Sequence, residues 1–199
     1  ARMATPNLIG HTMRALRLFD DPFVYALSWH LGPDVQNYSM LDGYDQNAED
    51  QLLDTVDWRS DGYRLFDIST PAQSSRAGFM GGVPPECSWL AMRKTTFEEL
   101  GGFDARFTSP GGGLVNHDFR NLAIKRPGIH PVLLVGEGVF HPFHGGVATN
   151  VEPDDHPRHR VREAYREIRG REYKVEPSAD PIWIGYLPIN ARRFLGADS

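Results

Sequence analysis

Apolar positions recur at helical spacing from residue 8, with Leu8, Ile9, Thr12, Met13, Leu16 and Phe19 following Thr5-Pro6. Thr5 offers a hydroxyl cap and Pro6 a first position where a missing N–H costs nothing, so a first helix is predicted to about Phe19. Asp20-Asp21-Pro22 stops it. The short apolar run over residues 23–29 has strand length and ends at the turn signal His30-Leu31-Gly32-Pro33. Asn47 is predicted to cap a second helix whose buried stripe is Leu52, Leu53 and Val56, and residues 63–68 read as another strand.

Residues 69–86 are rich in Ser, Gly and Pro without a period, a long loop for a compact domain and a candidate lid. An apolar run over 87–92 follows. Thr95-Thr96-Phe97-Glu98 is a capping-box pattern for one or two helical turns closed by Gly101-Gly102, and Pro110-Gly111-Gly112-Gly113 is a flexible bend. A helix with Phe119, Leu122 and Ala123 on one face starts near Asn116, and 131–135 returns as a strand before a Gly-rich loop reaching Asn150. Val161, Ala164, Tyr165 and Ile168 mark an amphipathic helix. Its neighbourhood, 152–172, holds six Arg and six acids whose charges cancel, the pattern of a solvated helix laced by pairs such as Glu167 with Arg171. Residues 177–187 read as an extended segment packing Trp183 and Tyr186 onto the body. The sum is an α/β fold, a mixed sheet flanked by helices, in one domain over 1–199 with 152–199 as helix plus extended tail.

Composition narrows the classes. Lys plus Arg is 21 against 26 Asp plus Glu, a net charge of −5, with 40% hydrophobic residues. That is ordinary for a soluble globular chain and argues against disorder and against nucleic acid held by bulk charge. Gly and Pro number 20 and 15, above their usual joint share of ~12%, so much of the backbone is turn and loop. The single cysteine, Cys87, excludes an internal disulfide and a Cys-rich zinc site, reads as a buried small hydrophobe, and leads us to expect a cytoplasmic location. No apolar run approaches the ~18 residues of a membrane span. The chain opens Ala1-Arg2-Met3 on what reads as the lip of a helix, so a piece of a longer polypeptide is expected.

Four patterns carry candidate chemistry: Glu86-Cys87-Ser88, Gly101-Gly102-Phe103-Asp104, the run 111–120 and the run 136–146. Glycines before Asn116 and Asp118 let backbone approach a ligand, and an acid in the first helical turn can act as general base toward a hydroxyl. The structural alternative is that Asp118 or Asn116 only satisfies orphan N–H groups. His141 and His144 are candidate metal ligands, although residues three apart in a strand point to opposite faces, so both reach one ion only if Pro142 turns the chain. His30 and Glu137 rank behind them, and His11, His130, His156 and His159 read as surface residues. Ser-centred elbow, P-loop, dinucleotide fingerprint and His-Glu-x-x-His are all missing.

Taken in order, residues 86–94, the run 97–107 containing Gly101-Gly102-Phe103-Asp104, Pro110 to Gly113, and Asn116-His117-Asp118-Phe119-Arg120 resemble the second half of an A-fold glycosyltransferase of the family 2 type. The resemblance is densest over 78–146. It implies a GT-A-like fold without its N-terminal nucleotide-binding half, and transfer of a sugar from a nucleotide-diphosphate donor to an acceptor hydroxyl with a divalent metal, manganese or magnesium. Carried over by position, Asp118 or its neighbour Asn116 falls where the family keeps its base, and only Asp118 can be one. Glu86 and Ser88 match the segment bordering the donor sugar, Gly111, Gly112 and Gly113 the loop under the acceptor, and His117 and Arg120 the substrate-facing helix start. His141 matches the histidine completing the metal's coordination, with His144 in reserve. This chain departs from the family in lacking an acid pair at the helix start and an Asp-x-Asp motif. Two other classes remain open: a non-catalytic carbohydrate-binding or interaction module, and a small metal-dependent hydrolase built on His141, His144 and Asp118.

Overall fold

The computed structural model describes residues 3–152 and 154–195. Its elements run β1 (Met3–Ala4), α1 (Leu8–Leu18), β2 (Pro22–Leu31), α2 (Gln36–Ser39), α3 (Gln46–Asp54), β3 (Ser69–Pro71), β4 (Trp89–Ala91), α4 (Lys94–Glu99), α5 (Val115–Lys125), β5 (His130–His141), α6 (Arg158–Arg169) and β6 (Ile182–Gly185). The mixed sheet flanked by helices is therefore present.

The parallel pair β2 and β5 is its axis. Every residue of β2 is buried, as expected of a strand covered on both faces. Phe23, Tyr25, Leu27, Trp29 and Leu31 alternate onto one face with Phe66, Phe79 and Phe140. Val24 and Ala26 face the other, under Leu8 and Ala15 of α1 with Val132, Leu134 and Ile184. The edges are shared by level: antiparallel β4 pairs with residues 24–26 of β2 and β3 with 29–31, while β6 lies parallel to the first half of β5 and β1 antiparallel to its end.

Several local expectations change. Residues 62–68 form a 3-10 helix, not a strand: Asp61 accepts the Tyr63 N–H, and Tyr63 and Phe66, three apart, point together into the core. Both periods fit so short an apolar run. The helix cap at residue 45 is Asp45, which accepts from Ala48 N, rather than Asn47. Thr5 does not cap α1, because its hydroxyl turns to Glu137. The capping box at Thr95–Glu98 does not form, because α4 already begins at Lys94 with Arg93 at its cap and no side-chain cap bond, and Thr96 bonds Asp21. The stretch after Val135 is not a loop, since β5 continues through it to His141. It does so across a bulge: Leu133 pairs with Tyr25 and Gly138 with Leu27, so five steps on β5 match two on β2. The tail is part of the sheet, and its buried residue is Ile184; Trp183 and Tyr186 are half exposed.

Candidate functional site

His30, His141 and His144 lie at and just beyond the carboxyl ends of β2 and β5, the edge where open α/β sheets bind ligands. His30 and His141 are register partners there, with ring centroids 5.5 Å apart. The chain leaves the strand at Pro142 and bends at His144, whose Nε2 lies 3.1 Å from the His141 Nε2. Two nitrogens each about 2.0–2.1 Å from one ion lie roughly 3–3.4 Å apart, so the pair fits a shared ion. The Gln36 Oε1 sits 3.2 Å from the His141 Nδ1, which suits an Nδ1–H donor and leaves Nε2 for a metal. Among the described residues no group of three His, Cys, Asp or Glu side chains is placed to hold an ion. Asp118 therefore does not join the histidines, and the hydrolase constellation is not assembled.

The histidine turn is pinned by a residue the sequence did not single out. Glu49, on α3, is 1% exposed. Its carboxylate accepts the Phe143 N–H at 2.8 and 2.9 Å and the Tyr44 hydroxyl at 3.0 Å. Burial raises its pKa above the ordinary glutamate value, opposed by those hydrogen bonds. A carboxyl raised by folding favours the native state below its unfolded pKa and loses that advantage as pH climbs through the folded value. Glu49→Gln, whose amide oxygen still accepts from Phe143, is expected to flatten this dependence. Urea unfolding midpoints measured between about pH 4 and 8 check it; equal slopes for both proteins would remove Glu49 from the account.

At the front of α5, Asn116 donates to the Glu86 Oε1 at 3.2 Å, and its own Oδ1 accepts the His117 N–H at 3.0 Å and lies 2.9 Å from the His117 Nδ1. Glu86, Asn116 and His117 thus form one chain. Burial lowers the His117 pKa, with the Glu86 charge opposing. Asp118 is 5% exposed and faces away from this chain. Arg169 of α6 grips both its oxygens, with Nε 2.9 Å from Oδ1 and Nη2 2.5 Å from Oδ2, and its Nη1 reaches Asp104 at 2.8 Å. Those carboxylates hold the Arg169 pKa above its ordinary value. The charged stretch around α6 is accordingly not all solvated.

Two hollows flank α5. One of about 350 Å³ is walled by His117 and Leu114, by Val35, Asn37 and Tyr38 after β2, and by the first turn of α6. Neither Asp118 nor His141 is in that wall. The other, about 500 Å³ and largely apolar, takes Ser88, Asn116 and Arg120 with Phe97, Phe103 and Phe119. Gly111, Gly112 and Gly113 all have positive φ, and a Cβ on Gly111 would meet Val147 at 2.9 Å, so this bend leans on the loop after the histidines. Arg120 is 2% exposed and bound to scaffold carbonyls. Burial pushes the Cys87 thiol up to about 12, which takes it out of nucleophilic chemistry.

Two histidines read as surface residues are not. His11 Nδ1 lies 3.3 Å from Glu137, a fully buried carboxylate in the β5 bulge that also accepts the Tyr63 hydroxyl at 2.7 Å. Glu137 ties Thr5, α1 and the 62–68 turn to β5 and is structural. The His156 Nδ1 is buried in the wall of the smaller hollow without a hydrogen-bond partner. No helix among the described residues is long and apolar enough to cross a membrane. No protein-family model matches the chain, nor does any curated protein or solved structure.

Proposed function

We propose that the chain is the acceptor-side part of a metal-dependent glycosyltransferase that moves a sugar from a nucleotide diphosphate to an acceptor hydroxyl. One observation carries the reading: a single turn, α2, joins the α5 front to the histidine pair. Its Gln36 contacts His141, while its neighbour Asn37 walls the hollow that His117 enters. In this reading the leaving-group residues are His141 and His144 and the acceptor residues are those of the α5 front, an arrangement supported by the ordered motifs over 86–144. His141 and His144 would hold the ion, and their imidazoles favour manganese over magnesium. The ion, when bound, neutralises charge on the departing diphosphate.

The chain's own residues supply the rest. Glu86 fixes the Asn116 amide, which orients His117. Asp118 is the base that the motif position assigns, and the Arg169 fork holds it in one orientation with both of its oxygens engaged. His117 is the competing base, since it and not Asp118 lines the hollow.

The test uses the longest natural polypeptide containing these residues, with UDP- and GDP-sugars and manganese, read by calorimetry and product formation. Asp118→Asn is expected to leave donor binding intact and slow transfer by roughly a hundredfold to ten-thousandfold. Normal turnover in Asp118→Asn with loss in His117→Gln moves the base to His117. Glycan binding without metal, together with no donor hydrolysis, would replace the transferase by a silent carbohydrate-binding module, the reading that the occupied Asp118 carboxylate favours.

A further inference from the structure

The transferase reading uses only Asn37 and His117 of the smaller hollow beside α5, and the rest of its wall has a chemistry of its own. Its wall brings together His117, His156, Arg158 and Arg162, with the polar side chains of Asn37 and Tyr38. A second hollow of about 360 Å³ continues past Tyr38, sharing His156 and Arg158 and adding His159 and Asp154. Asp154 is the one carboxylate in these two described walls. In a chain of net charge −5 this local excess of cationic and imidazole groups is against the trend.

Three further observations point to an anion. The His156 Nδ1 is buried and lacks a hydrogen-bond partner, a cost that a ligand oxygen would relieve. The first turn of α6, which forms this wall, contains no acid and no side-chain cap, so its N–H groups and dipole add to the same positive field. Burial and, after it, the Arg158 charge lower the His156 pKa, a shift that an anion beside the ring would oppose.

We propose that this hollow is a binding site for a phosphoryl group, seated between Arg158 and Arg162 of α6 and the imidazoles of His156 and His117. Guanidinium forks match phosphate oxygens in pairs, and Asn37 and Tyr38 line the floor on the sheet side. The group comes from a phosphate monoester on an acceptor or from the diphosphate of a nucleotide. The site stands on this cavity alone and does not require sugar transfer.

Inorganic pyrophosphate and orthophosphate, titrated calorimetrically into the 199-residue chain at fixed ionic strength, test it. Saturable binding is expected, and the His156 and His117 imidazole resonances should move with it. Arg162→Gln combined with His156→Gln is expected to weaken pyrophosphate at least about tenfold while far-UV circular dichroism stays unchanged; Arg162 is exposed, so Arg162→Glu gives a second variant that need not disturb folding. Glucose 1-phosphate and uridine diphosphate distinguish the sources, and tighter binding of either supports the site. No heat at millimolar pyrophosphate, or equal affinity in wild type and both variants, would overturn it. A chain that binds pyrophosphate and transfers no sugar keeps this site and loses the transferase; the reverse result loses only this site.

Discussion

Gly136→Ala is expected to cost about 3–5 kcal/mol, a large share of the ~5–15 kcal/mol that holds a domain of this size folded. Two effects add. Gly136 has φ +75°, a region where an L-residue with a Cβ is destabilised by about 1–2 kcal/mol. The added carbon would also be driven into the Tyr186 carbonyl and lie 2.6 Å from the Pro188 Cδ. The carbonyl is backbone beyond the end of β6, so relief requires the tail strand to move off β5 or the bulge to refold. Gly128→Ala separates the two effects, because φ there is +82° but no atom lies within 4 Å of the new Cβ; it should cost only about 1–2 kcal/mol. Urea denaturation midpoints of the two variants measure the difference. Similar values would mean that the tail does not press on the bulge.

That bulge also marks where sequence reasoning stops. The carriers of β2 and α5 are legible because their patterns are local: the alternating core residues from Phe23 to Leu31, and Phe119 and Ala123 on one helical face. The order of the Glu86, Gly101, Gly111 and Asn116 motifs is legible for the same reason. Gly136-Glu137-Gly138 reads as loop because glycine signals a turn, and only the long-range partners Thr5, Tyr63 and His11 make it a strand interior with a buried acid. Glu49 escaped because a glutamate in a helix is ordinarily a surface residue, and nothing near it in sequence names Phe143 as its partner. The Arg169 grip on Asp118 spans 51 positions. Past the end of β5 the bend falls at His144, and its imidazole meets that of His141.

Arg120→Met is the second large effect, and it decides between two roles for a residue that motif position assigns to substrate. The Arg120 guanidinium donates to the Val83 carbonyl at 2.7 Å, to the Glu176 carbonyl and to the Asn121 Oδ1 at 3.0 Å. Asn121 in turn accepts the Glu176 N–H and donates to the Lys174 carbonyl. The long 69–86 segment and the tail before β6 are thereby stapled to α5 through one buried cation. Methionine fills similar volume but leaves two carbonyls without donors, at about 1–3 kcal/mol each, and we expect about 3–5 kcal/mol lost in all. Hydrogen exchange should quicken at residues 83, 121 and 176 before the β2–β5 core opens. Arg120→Lys should recover only part of the loss, because one ammonium on a flexible stem does not hold both carbonyls in the fork's geometry. If Arg120 instead serves a ligand in the larger hollow, where its buried Nε has no protein partner, Arg120→Met would keep the wild-type unfolding midpoint and lose affinity alone. The two roles are thus read by different instruments, and an unchanged midpoint would transfer Arg120 from scaffold to site.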